Sequence, residues 1–179
     1  MTSTTTLLER NEKFSKEFTS DNLPILPKLR TVIITCGDAR VDPAHTLGIE
    51  LGEAVIIRNN GGRETQSVIE ELAAISFMVA KMDGDQPKPF EVIVVHHTQC
   101  GAERFADKQF QAILKEHVGV DVSDIAIHNH QNSILEDVNR LRAAPNIPDY
   151  IIVSGFIYDV TSGQMQVVVT PSKLSLLNS

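Results

Sequence analysis

The chain has 179 residues, enough for one domain with a sizeable core and too few for two with separate cores. Its 42% hydrophobic and 22% charged content is ordinary for a globular protein, and a net charge of -7 with no basic stripe argues against a nucleic-acid partner. The apolar runs are far shorter than the roughly 20 residues that cross a bilayer, and the polar start lacks the apolar core of a secretory signal, so no membrane partner and a cytoplasmic location are expected.

Leu7, Leu8, Phe14 and Phe18 fall at helix-compatible spacing, and Pro24 and Pro27 then break the pattern. Residues 1–30 therefore read as a helical arm and a Pro-containing linker within a single domain of residues 1–179. Thr31-Val-Ile-Ile-Thr-Cys36 is a continuous β-branched run, which predicts a strand buried on both faces. Ala54–Arg58, Glu91–His96 and Tyr150–Ser154 read the same way. Between them, Val68, Leu72, Ile75 and Val79 share one face of a helix over 65–82, with Ser67 and Glu70 resembling a capping box.

A second helix is marked by Phe110, Ile113, Leu114 and Val118 before Gly119. A third is marked by Ile134, Leu135, Val138 and Leu141 before Pro145. Ser162-Gly163 divides two apolar runs within 156–169, the pattern of a hairpin that adds an antiparallel edge strand. Strands alternate with helices, so the fold class is α/β: a mostly parallel sheet with an antiparallel edge strand and flanking helices. In such sheets ligands sit beyond the carboxyl ends of the strands.

The two cysteines of the chain both fall there. A reducing cytosol disfavours a disulfide between them, which directs attention to metal chemistry. His97-x-x-Cys100 in a tight turn can aim an imidazole and a thiolate at one centre, and Cys36 from another strand end can add a third ligand. Two sulfurs and one nitrogen suit Zn2+, and three protein ligands leave a place for water, as in catalytic zinc sites. Taken alone, either half is weak: an isolated His-x-x-Cys is commonly a core histidine beside a buried thiol. Their joint occurrence at two core strand ends carries the reading.

Asp38 and Arg40 lie just past Cys36, where a guanidinium beside the carboxylate would keep it ionised and fix its direction. Gly61 and Gly62 follow the second strand, where glycine lets main chain approach a site closely or simply makes a strand-to-helix turn. His96 should point away from His97 and pack or meet solvent. His45, His117, His128 and His130 are expected on a solvated face.

The stretches Cys36-Gly-Asp-Ala-Arg-Val-Asp-Pro43, Leu47-Gly48, Gly52-Glu-Ala54, Ile57-Arg-Asn-Asn-Gly-Gly62, His96-His-Thr-Gln-Cys-Gly101 and Gly155-Phe-Ile-Tyr-Asp159 resemble the short, single-domain β-carbonic anhydrases. That resemblance implies zinc held by Cys36, His97 and Cys100, with Asp38 and Arg40 orienting a metal-bound hydroxide that hydrates carbon dioxide to bicarbonate. It also implies a homodimer or homotetramer in which the N-terminal helix lies on the partner. Gln99 departs from the His-Thr-Asp-Cys-Gly sequence common in relatives, changing a charge beside the site. Some relatives hydrolyse carbonyl sulfide or carbon disulfide on the same metal, so the expected substrate is a small linear gas molecule of this kind. A non-catalytic protein, with Asp38 closing the zinc site, is a further reading. A redox pair of Cys36 and Cys100 lacks the usual Cys-x-x-Cys spacing.

Overall fold

The computed structural model describes residues 2–84 and 88–176; positions 1, 85–87 and 177–179 of the expected single domain lie outside the described residues. The first helix, α1 (Ser3–Glu17), starts at Thr2, whose side chain accepts from the Thr5 amide, and none of its residues is buried. Leu7, Leu8 and Phe14 are consequently exposed by 60%, 65% and 51%, which leaves an apolar surface on a helix with no seat in its own chain.

Strand β1 (Thr31–Cys36) is buried at all six positions, as its β-branched run requires of a central strand. The short helix α2 (Pro43–Thr46), capped by Asp42, leads to β2 (Val55–Asn59). Helix α3 (Gln66–Met82) follows, and its cap is Thr65, whose hydroxyl accepts from the Val68 amide. The Ser67–Glu70 box expected from sequence does not form, because Thr65 offers the same chemistry two residues earlier. Next come β3 (Glu91–His97), α4 (Lys108–Val118), α5 (His130–Ala143), β4 (Ile152–Tyr158) and β5 (Met165–Lys173). Helix α4 ends on Gly119 in the left-handed conformation, the stop signal read in the sequence.

The sheet order is β2-β1-β3-β4-β5, parallel except for β5, which runs antiparallel to β4 at one edge. Pro171 is tolerated in β5 because an outer strand leaves one side of its backbone without ladder partners. Two expectations need correcting. Strand β2 is the opposite edge and only partly buried, so its β-branched run marks an edge rather than a strand covered on both faces. The fourth strand starts later and runs further than 150–154, continuing through Gly155 to Tyr158 and forming the first arm of the hairpin itself.

One face of the sheet carries Val32, Ile34, Val92 and Val153, packed with Val68, Leu72 and Val79 of α3 and Ile134, Val138 and Leu141 of α5. Fully buried side chains such as Leu72 and Ile134 each contribute roughly 2 kcal/mol of transfer free energy, which is what seats both helices. No described helix is long and apolar enough to cross a membrane.

Candidate metal centre

Strands β1 and β3 are parallel neighbours with Thr35 opposite Val95, so whatever follows their carboxyl ends emerges side by side. That places Cys36, His97 and Cys100 together, all buried, with their ligand atoms within 4.8 Å of one another. The two Sγ atoms lie 3.7 Å apart. The turn that folds Cys100 back toward His97 runs through Gln99, a non-glycine residue at φ 55°.

His97 Nδ1 lies 2.9 Å from the Thr98 carbonyl, an acceptor only, so this nitrogen carries the proton and donates it. The other nitrogen, Nε2, is left with its lone pair, buried and without a hydrogen-bond partner among the described residues. An orphaned imidazole nitrogen facing two sulfurs is costly in a protein interior unless a cation is bound there. The residues therefore fit a borderline-soft divalent metal such as zinc.

The sulfurs are prepared unequally. Hydrogen bonding with Cys100 pulls the Cys36 thiol well down, against the effect of burial, with further help from His97 and the amides of Asp38 and Gly61. The same contact, followed by burial, pushes the Cys100 thiol up, since a second thiolate at this distance repels the first. Burial pulls His97 down, but Cys36, the Thr98 carbonyl and Asp38 more than offset it and leave it raised.

Asp38 accepts from Arg40 three times: from Nε at 3.0 Å, from Nη2 at 2.7 Å and from the main-chain amide at 2.9 Å. The Arg40 side chain is the largest cause that holds the Asp38 carboxyl well below the usual carboxylate range. Asp38 Oδ2 stands 4.0 Å from His97 Nε2.

Arg58, on β2, escaped the sequence reading. It donates to the Cys36 carbonyl at 3.0 Å, the Asp38 carbonyl at 2.7 Å and the Asp42 carboxylate at 2.9 Å, and so holds the loop that carries Cys36 and Asp38. Its pairing opposite Thr35, one residue before Cys36, is the signal that could have located it once strand order was known. Gly62, at φ +68°, sits where an added Cβ would lie 2.9 Å from the Thr35 carbonyl carbon and 3.0 Å from the Cys36 nitrogen. Only glycine lets this loop abut the end of β1. Gly61 adjoins a cleft of about 350 Å³ that is also lined by Cys36, Asp38, Asn60, Ala102 and Phe105.

His96 points away from the centre, as strand alternation requires, and is wholly buried rather than solvated. Its Nε2 donates to Asp137 Oδ2 at 3.1 Å, and Asp137 in turn pairs with the buried Arg63 at 2.9 Å. Desolvation lowers the His96 pKa in spite of Asp137. Of the histidines expected on a solvated face, His45, His117 and His128 are exposed. His130 is not: its side chain is 17% exposed and its Nε2 donates to Glu103 at 2.9 Å.

The sequence profile of the carbonic anhydrase family matches residues 31–147. β-Carbonic anhydrase 1 of Mycobacterium tuberculosis is 29% identical over 170 residues, covering 94% of this chain and 99% of that protein. The carbon disulfide hydrolase of an Acidianus strain is 26% identical over 164 residues, 76% of each chain. The crystal structure of a carbonic anhydrase from Streptococcus mutans superposes with a TM-score of 0.80 at 35% identity, covering 94% of this chain and 98% of that one. Fold, site geometry and family profile agree over the same stretch, and the chain belongs to the β-carbonic anhydrase family as an enzyme of the carbonic anhydrase type.

Proposed function

We propose that the chain holds one zinc ion through Cys36, His97 and Cys100 and hydrates carbon dioxide to bicarbonate, with Asp38 and Arg40 as the orienting pair. The observation that carries this reading is the buried His97 Nε2, unpartnered and facing the two sulfurs. Zinc in an open three-ligand site acts as a Lewis acid and brings the pKa of water to about 7. The protein's own part is positional. Asp38, kept ionised by Arg40, is an acceptor only, so it takes an O–H hydrogen bond from the nucleophilic water and turns the oxygen lone pair toward the substrate. Ala102 and Phe105 give the adjoining cleft apolar walls suited to a small uncharged molecule.

Similarity to carbon disulfide hydrolases supports a second reading, hydrolysis of carbonyl sulfide or carbon disulfide at the same centre. Gln99 bears on this choice, because its amide donates to Thr161 at 3.3 Å and puts a neutral group beside the site. The non-catalytic reading is not favoured, since three Arg40 hydrogen bonds occupy Asp38. Stopped-flow carbon dioxide hydration, set against hydrogen sulfide release from both sulfur substrates on one zinc-quantified preparation, tests the assignment. Hydration well above the sulfide-releasing rates is expected, and the reverse order would transfer the function to the sulfur substrates. We also propose a homo-oligomer in the cytosol in which α1 lies on a second copy, a reading supported by the exposed Leu7, Leu8 and Phe14 of the helix and by Phe18 just after it.

A further inference from the structure

The side chains of Glu103 and His130 have no part in the mechanism above, yet they meet directly behind Cys100. After Cys100 the chain enters a 3₁₀ turn, Gly101–Ala106. Such turns have poor hydrogen-bond geometry, so on its own this one would be a loose mount for a metal ligand. It is closed reciprocally: the Cys100 amide donates to Glu103 Oε1 at 3.0 Å, and the Glu103 amide donates back to the Cys100 carbonyl at 3.1 Å. The same Oε1 accepts from His130 Nε2 at 2.9 Å.

His130 is the first residue of α5, and that helix is anchored in the core through Ile134, Val138 and Leu141. Two turns further along, Asp137 holds His96, the neighbour of His97. The rings of His96 and His130 themselves meet edge to face, 6.0 Å between centroids. One helix thus reaches a neighbour of each ligand: Asp137 binds the side chain of His96, next to His97, and His130 binds the Glu103 carboxylate that holds the Cys100 amide.

From this arrangement we infer that Glu103 and His130 are positioning residues for Cys100, transmitting the rigidity of α5 to the sulfur that binds the metal. The inference rests on the zinc reading of the site. The Glu103 side chain is 45% exposed, so solvent screens its charge and the effect is one of direction more than of field. Groups that orient metal ligands are typically worth 10- to 100-fold in metal affinity.

The test is zinc affinity by competition with a chromogenic chelator, together with the thiolate-to-metal absorption of the cobalt-substituted protein. Glu103→Ala and His130→Ala are expected to weaken zinc by roughly 10- to 100-fold and to shift the cobalt bands. Glu103→Gln keeps an acceptor for the Cys100 amide and His130→Gln keeps an N–H donor, so each should restore affinity to within about threefold of the parent. Alanine variants within about twofold of the parent, with unchanged cobalt spectra, overturn the inference, as does a Glu103→Gln variant as weak as Glu103→Ala. Should Glu103→Ala not fold, the His130→Ala and His130→Gln pair decides by the same criterion. Failure of the zinc reading shows separately, as a parent protein that binds no zinc, and removes this inference with it.

Discussion

Arg40 and Gln99 meet across the candidate metal centre, the guanidinium Nη2 donating to the main-chain carbonyl at 3.0 Å. The same nitrogen donates to Asp38 at 2.7 Å, so one side chain ties the Cys36 loop to the Cys100 loop and aims the carboxylate. Replacing Arg40 by alanine is expected to lower kcat/KM for carbon dioxide hydration by roughly 10- to 100-fold, the cost of a misplaced orienting group. Lysine should not rescue it, because an ammonium cannot reproduce the planar fork. Stopped-flow assays on zinc-quantified protein check this, and an alanine variant within twofold of the parent would remove Arg40 from the machinery.

Asp137 neutralises Arg63 in the core and also holds His96. Asp137→Ala leaves a guanidinium buried without its main counter-ion, and unfolding free energy should drop by about 3–5 kcal/mol. Denaturant titration measures this. A loss below about 1 kcal/mol, the range of an exposed pair, would mean that water reaches Arg63.

Gly62→Ala combines a left-handed backbone with collision against β1 main chain, which has nowhere to move. A destabilisation of about 3 kcal/mol is expected. Gly119→Ala meets nothing within 4 Å and should cost only the left-handed conformation, roughly 1 kcal/mol. Parallel melts of the two variants separate steric contact from conformational strain.

Glu64 is wholly buried, and neither carboxylate oxygen has a hydrogen-bond partner among the described residues. Desolvation first, and then the Asp137 charge, raise its pKa well above the usual 4.5. The folded protein therefore holds this proton more tightly than the unfolded chain. That contribution is complete below the unfolded value and is lost as pH climbs toward the folded one, with a slope of up to about 1.4 kcal/mol per pH unit. Glu64→Gln should flatten the decline, so that its stability relative to the parent improves with rising pH. Equal pH slopes in denaturant titrations would show that Glu64 is ionised in the fold.

Deleting residues 2–18 removes no buried side chain of the chain itself. Far-UV circular dichroism should still report the sheet and the remaining helices, while light scattering shows a smaller assembly. An unchanged mass would place the subunit contact elsewhere.

The central strands and the convergence of Cys36, His97 and Cys100 were readable from the sequence because both signals are local: β-branched runs, and short motifs at their ends. What escaped is non-local. Arg63 and Asp137 are 74 positions apart and His130 and Glu103 are 27 apart, and no periodicity marks which charges the fold will bring together. Composition alone also could not tell β2, an edge, from β1, since both are runs of valine and isoleucine and only neighbour count distinguishes them. The fourth strand, read as ending at Ser154, runs on through Gly155. In the fold that glycine lies inside β4, where an added Cβ would collide with Ile134 of α5, so it marks close helix–strand packing instead of a break.

Hydrogen bonding between β1 and β3 has a quantitative consequence. Adjacent strands are held about 4.7–4.9 Å apart by their ladder, and the ligand atoms spread over no more than 4.8 Å. The backbone lattice acts as a jig that delivers the two strand ends side by side. A single-residue insertion within β1 would rotate Cys36 onto the opposite layer and take its sulfur away from His97 and Cys100 without unmaking the sheet, so the whole length of the strand is committed to the phase of one sulfur atom.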